Sequence, residues 1–158
     1  MDTESPLPTY IAYSVGFYDD RDLIDWVLAY LPASEHFSND PDLQEIGWIN
    51  TKQVREIENA GKILDNFVQK MWPGYELKGN SKAEHYAKRC FKRRLESYVE
   101  GDCSPWMVCR MISSIEHYFD FPDWLGGMYN ACDWIEPNTP RVDCRHLEDA
   151  VIQTLKGL

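Results

Sequence analysis

The sequence predicts an all-α protein, one domain over residues 1–158 built from five or six helices, with one alternative that adds a short N-terminal extended segment. Apolar residues recur at helical spacing in several stretches, and capping residues, proline or glycine bound each stretch. Hydrophobic residues form 44% of the chain and aromatic residues 13%. The chain therefore has enough apolar side chain for a packed core, and this excludes a disordered protein.

The N-terminal stretch is the least regular part of the pattern. Residues 1–8 are predicted to form a flexible arm. Residues 9–18, TYIAYSVGFY, are rich in β-branched and aromatic side chains. Such a composition favours either a short strand or an extended segment laid across helices.

The first helix is expected over residues 20–31. Asp19 or Asp20 can cap its start, and Pro32 can stop it. Trp26 lies off the apolar stripe that should face the core. The residues of that stripe are Leu23, Ile24, Val27, Leu28 and Leu31.

A loop and a long helix are expected next. The loop covers residues 33–50, and the helix begins at Asn50 or Thr51 and ends near Met71. Gly61 interrupts this helix at a cost of about 1 kcal/mol relative to alanine, which indicates a close crossing with another helix.

A basic helix is predicted over residues 82–99, because Ser81 and Glu84 match a capping box. The chain carries 16 Lys and Arg against 26 Asp and Glu, a formal charge of −10. Residues 82–94 carry six cations and one carboxylate, which leaves a local charge of about +5. This face is expected either to contact a nucleic-acid backbone or to lie against the protein's own acidic surface. The candidate phosphate contacts are Lys82, Arg89, Lys92 and Arg93.

A helical hairpin is predicted over residues 104–136. Ser104 and Pro105 combine an N-cap with proline at the first helical position. Pro122 breaks the pattern and starts the second helix. The Gly126-Gly127 pair inside that helix is interpreted as close helix packing rather than as a phosphate-binding loop.

Acidic and aromatic residues collect at the corner and exit of this hairpin. Aromatic side chains are frequent interface anchors, and an acidic surface attracts basic partners. The pattern therefore favours a protein partner. Trp124 is instead expected to lie in the core, where it bridges the hairpin to neighbouring helices. The candidate partner-binding residues are Asp120, Asp123, Asp133, Trp134 and Glu136.

Signals of other chemistry are weak. The chain lacks P-loop, G-x-G-x-x-G and G-x-S-x-G motifs, and its Cys and His residues lack metal-ligand spacing, so no catalytic residue, metal or cofactor is predicted. Five cysteines without paired short spacing predict free thiols in a reducing cytoplasm. No stretch has the length of a membrane span, and the acidic N-terminus is unlike a signal peptide. A small Cys or carboxylate enzyme remains an alternative.

The run YFDFPDWLGGMYNACDWIEP, residues 118–137, resembles a segment of small immunity proteins from bacterial contact-dependent growth-inhibition systems. The resemblance covers this run together with the size and helical character of the chain. It implies a cytoplasmic inhibitor rather than an enzyme, one that binds the C-terminal toxin domain of a large exported protein. Such toxins are often nucleases and usually basic. The resemblance assigns no residue to the interface, and it leaves a nucleic-acid-binding regulator as the other alternative.

Overall fold

The computed structural model describes residues 5–158, and eight α-helices contain most of that part of the chain. Two 3₁₀ segments, Asp123–Asn130 and Arg141–Asp143, lie between the last two helices, and the described residues contain no strand. The all-α prediction is confirmed, but the expected five or six helices are too few. The helices are α1 (Pro6–Ser14), α2 (Asp20–Ala33), α3 (Pro41–Gly47), α4 (Val54–Ile57), α5 (Ala60–Met71), α6 (Ser81–Glu100), α7 (Pro105–Phe119) and α8 (Arg145–Gly157).

The predicted N-terminal arm and extended segment are wrong where the structure describes them. Residues 1–4 of the arm lie outside the described part, and α1 begins at Pro6. Proline suits the first helical position, since the amide hydrogen that it lacks has no helical acceptor there. Leu7 and Tyr10, one turn apart, pack on the apolar core of the helices that follow. Tertiary packing therefore overrides the strand preference of the β-branched and aromatic side chains.

The predicted loop over residues 33–50 contains a helix, α3. The Asp40 carboxylate accepts hydrogen bonds from the backbone N–H groups of Asp42 and Leu43, and proline follows it at the first helical position. Leu43 and Ile46 are fully buried. The sequence did contain a signal for the start of this helix, namely Asp40 followed by Pro41. The helix was missed because its 7 residues make too few turns for a periodic apolar pattern.

The long helix expected from Asn50 to Met71 is two helices, α4 and α5. Before α4, the Asn50 side chain accepts from the Lys52 backbone at 3.1 Å, and Glu56 accepts from the Asn50 backbone at 3.1 Å. These local side-chain bonds satisfy the backbone without a helix, so the start of the predicted helix is a turn.

The chain divides into two compact units. The first contains α1 to α5, and the second contains Val15–Phe17 together with α6, α7, α8 and both 3₁₀ segments. The prediction of one domain stays a prediction. In the first unit, the predicted stripe of α2 is confirmed at Leu23, Ile24 and Val27, but it is wrong for Leu28, which is 56% exposed. Trp26, which was expected off the stripe, is buried instead and stacks on Tyr30 with ring centroids 5.0 Å apart.

In the second unit, α6 packs on α7 and α8, and the 3₁₀ segment Asp123–Asn130 packs on α7 and α8. The Asn80 side chain caps α6 by accepting from the Ala83 backbone, in place of the predicted Ser81. Ser104 caps α7 as predicted. None of the described helices has both the length and the apolar character needed to cross a bilayer.

Gly61 lies at a close helix crossing, as its position in the sequence indicated. Its backbone N–H donates to the Asp20 carboxylate at 2.9 Å, and the Tyr13 hydroxyl donates to the same oxygen at 3.2 Å. Three helices of the first unit, α1, α2 and α5, thus share one carboxylate. A Cβ added at Gly61 would overlap the Tyr13 phenol ring and hydroxyl.

We expect Gly61→Ala to lower the free energy of unfolding by about 2 kcal/mol, because the added methyl group overpacks this crossing. Urea denaturation measures the change. Gly157→Ala is the matched control, since the same substitution near the end of α8 meets no atom within 4 Å and should leave stability unchanged or slightly raised. Equal stability of the two variants would contradict the crossing.

Candidate functional site

The chain leaves α7 through two consecutive left-handed residues. Asp120 and Phe121 have φ of 53° and 55°, a conformation that non-glycine residues seldom adopt. The carbonyl of the buried Pro122 then accepts from the Tyr129 hydroxyl at 2.8 Å, and the Phe121 ring lies 5.7 Å from the Tyr129 ring. Phe121 is nevertheless 61% exposed. The turn therefore presents an acidic and an aromatic side chain together at the surface.

The predicted second helix of the hairpin is a 3₁₀ segment with a kink. Gly126 has φ 52° and ψ −132°, which lies outside any helix. A Cβ added at Gly126 or Gly127 would meet no atom within 4 Å, so the two glycines do not mark close helix packing. That interpretation is wrong. Gly126 provides the backbone freedom that the kink requires.

A disulfide joins α7 to the chain beyond the kink. Cys109 on α7 is bonded to Cys132, 23 residues along the chain. The prediction that all five cysteines are free is wrong for this pair. The spacing of the cysteines in the sequence could not have revealed this disulfide, because Cys109 and Cys132 meet only after the chain reverses at Pro122 and kinks at Gly126.

The three cysteines outside the disulfide, Cys90, Cys103 and Cys144, are buried. Burial raises the pKa of the Cys103 and Cys144 thiols, chiefly because a thiolate loses its hydration there. The thiolate is the nucleophilic form, so both groups are poorly suited to attack a substrate. Burial and the raised thiol pKa values favour a packing role for Cys103 and Cys144 over a catalytic one.

Four of the five predicted partner-binding residues are exposed carboxylates, and the fifth is Trp134. Trp134 is 94% exposed and has φ 71°. Its neighbour Ile135 is buried, and the Ile135 backbone N–H donates to the Cys132 carbonyl at 3.2 Å. The chain is thus anchored on both sides of the indole, while the indole itself projects into solvent. Sequence reasoning missed the exposed Phe121, which a helix end followed by proline could have suggested.

Trp124 bridges to α6 as the sequence predicted, but the expectation that it lies in the core is wrong. Its indole N–H donates to the Glu84 carboxylate on α6 at 3.0 Å, and its ring lies 5.8 Å from the Phe91 ring. Trp124 is half-buried. One hydrogen bond and one ring contact therefore fix the indole against α6.

The charges of the second unit are separated along the chain. Residues 111–140 contain no Lys or Arg, and their carboxylates are Glu116, Asp120, Asp123, Asp133 and Glu136. The last four are exposed. The stretch that bears the exposed aromatics is therefore uniformly anionic, which is the field that a basic surface would meet on approach.

The basic face of α6 is also exposed. Lys82, Arg89, Lys92 and Arg93 are all exposed, and among the described residues none forms an ion pair. No carboxylate within residues 5–158 therefore pairs with these four cations. Arg94, counted with the basic face, is only 8% exposed and donates to the Phe17 carbonyl at 2.7 Å.

Within the described part of the chain, no three His, Cys, Asp or Glu residues converge as metal ligands would. No protein-family model, curated protein or solved structure matches the chain.

We expect the double substitution Cys109→Ser/Cys132→Ser to lower the free energy of unfolding by about 3 kcal/mol, because a cross-link over 23 residues restricts the unfolded chain. Urea denaturation with and without a dithiol reductant measures the effect. The reductant should destabilise the natural protein and leave the double variant unchanged. A natural protein indifferent to the reductant would mean that the bond does not support the fold.

Proposed function

We propose that the protein is an immunity protein. In this proposal it forms a one-to-one complex with the C-terminal toxin domain of a contact-dependent growth-inhibition system. The complex neutralises the toxin and so protects the cell that makes it. The toxin domain is basic and is a nuclease. The inhibitor acts in the cytoplasm as a binding protein and performs no chemistry of its own. The contact surface contains Asp120, Asp123, Asp133, Trp134 and Glu136.

Trp134 is the observation that carries the proposal. A residue 94% exposed buries almost no apolar area, so its indole adds little to folding. Its left-handed backbone costs roughly 1 kcal/mol relative to an ordinary conformation. Folding therefore does not account for tryptophan at this position, whereas a partner that buries the indole would. Tryptophan is among the residues most enriched at the energetic centres of interfaces.

The surrounding charges support a basic partner. Residues 111–140 contain no Lys or Arg to offset their exposed carboxylates, so this stretch contributes a negative electrostatic field. Such a field raises the association rate with a cationic surface and falls with added salt. A nuclease must hold a phosphate backbone, so its substrate groove is the kind of surface that this field would favour.

The cytoplasmic location follows from the resemblance alone. The cysteine pattern no longer supports it, because Cys109 and Cys132 form a disulfide and disulfides are rare in a reducing cytoplasm. A count of reactive thiols in protein isolated from cells under acid quench tests this part. Five thiols would agree with the cytoplasm, and three would place the oxidised protein elsewhere.

We expect Trp134→Asn to weaken binding to the cognate toxin domain at least 30-fold, or roughly 2 kcal/mol, because the interface loses its aromatic anchor. Asparagine tolerates the left-handed conformation, so the fold should keep its stability. Calorimetric titration against the toxin domain encoded immediately upstream of the gene measures the affinity, and urea denaturation measures the stability.

Trp48→Asn is the matched control. Trp48 is 79% exposed, lies in the other unit and has an ordinary backbone conformation, so its replacement should leave the affinity unchanged. Association of the natural protein should slow as salt rises. The proposal fails if the toxin domain does not bind, and the assigned surface fails if the two tryptophan variants bind equally well.

The exposed cations of α6 favour a second candidate function, a regulator that binds nucleic acid. Lys82, Arg89, Lys92 and Arg93 follow one side of the helix, and Arg93 lies over the Phe17 ring at 5.1 Å. The contact restricts this guanidinium while leaving it exposed. Four exposed cations on one helix, none of which forms an ion pair within residues 5–158, could follow a phosphate backbone.

If α6 binds duplex DNA, neutralising these four residues to glutamine should reduce the slope of log affinity against log salt by about 3 to 4. Fluorescence anisotropy with a labelled duplex at several salt concentrations measures the slope. The matched control neutralises four exposed cations outside α6, namely Lys52, Arg55, Lys62 and Lys78. No binding of the natural protein at about 50 mM salt would remove this candidate.

A further inference from the structure

A cleft of about 480 Å³ opens between the kinked 3₁₀ segment and α8, within the second unit. This volume lies in the range of small-ligand sites. The 3₁₀ side contributes Asp123, the Trp124 indole and the backbone of Gly126-Gly127. The α8 side contributes Asp149 and Gln153, which lie one turn apart on the helix. The cleft therefore has an aromatic wall, two carboxylates and no cation in its lining.

The aromatic wall is held in place before any ligand arrives. The hydrogen bond from Trp124 to Glu84 fixes the rotation of the indole, and the Phe91 ring packs beside it. A fixed indole is an effective receptor for a cation, because no side-chain freedom is lost on binding. Next to Trp124 the cleft stays open, because Gly126 and Gly127 have no side chains to fill the space.

The two carboxylates are free to bind a ligand. Asp123 and Asp149 are exposed, and among the described residues neither takes part in an ion pair. Together they give the lining a formal charge of −2. A cation that stacks on the indole would meet a carboxylate on each side of the cleft.

We propose that this cleft receives an arginine side chain of the basic protein partner. Guanidinium is favoured over ammonium for two reasons: it is planar and stacks on an indole, and its fork of N–H groups matches a carboxylate with two hydrogen bonds. The aliphatic stem of arginine suits the apolar part of the lining, which Ala150 and Trp124 provide. The identity of the occupant rests on the proposed function, whereas the guanidinium site itself can be tested without the toxin.

The first test uses the full isotope-labelled chain and the indole N–H resonance of Trp124. N-acetyl-arginine amide should shift this resonance saturably, and N-acetyl-lysine amide should shift it less. The double variant Asp123→Asn/Asp149→Asn should bind the arginine probe about tenfold more weakly, since it loses two charge contacts. Its matched control is Asp102→Asn/Asp143→Asn, which changes the net charge equally at exposed residues outside the cleft. No saturable shift, or equal binding by both double variants, would overturn the site.

The second test measures the affinity of the same two double variants for the toxin domain. The cleft variant should bind the toxin about tenfold more weakly than the control variant. Equal affinities would overturn the arginine occupant and leave the proposed function standing. A protein that binds the arginine probe but not the toxin would overturn the proposed function and leave a guanidinium site of other use.

Discussion

The path of the chain between α7 and α8 depends on one covalent constraint, the bond from Cys109 to Cys132. Between the end of α7 and Cys132, the segment that it closes contains a left-handed turn and a 3₁₀ segment kinked at Gly126 in place of an α-helix. The bond holds the far end of this segment on α7. Ile135 is buried just beyond it, and the chain between Cys132 and Ile135 therefore has a defined course. Trp134 is exposed from a restrained position rather than from a loose loop.

An irregular segment can place successive side chains on one face, which a helix does not do. A helix would place only every third or fourth residue on one face. The left-handed turn instead brings Asp120 and Phe121 to the surface in succession, and the left-handed Trp134 redirects the chain a second time. These are the three non-glycine residues with positive φ in the described part of the chain. Positive φ at non-glycine residues is thus confined, within the described residues, to the segment between α7 and α8.

The strong local signals in the sequence predicted the corresponding elements well. Ser104 followed by proline marked the start of α7 correctly, because an N-cap acts within one turn of the chain. Gly61 also marked a real helix crossing, since a glycine inside an apolar helical pattern signals a close approach even when its partner is distant in sequence. The errors arose where distant residues decide the outcome. The apolar core of the first unit makes residues 6–14 helical, and the bond to Cys132 could not be anticipated from the residues around Cys109.

Trp124 and Trp134 show that local sequence also fails to predict side-chain environments at the candidate site. Trp124 and Trp134 both follow an aspartate, and local sequence alone does not distinguish their environments. The distinction comes from α6, where Glu84 and Phe91 hold the Trp124 indole, while no such partner is found for Trp134 among the described residues. The fixed indole can form the wall of a site, since its position is set before binding. The Trp134 indole projects into solvent, since no described residue covers it and it is 94% exposed. The two indoles therefore differ in how firmly their own chain holds them, although an aspartate precedes each.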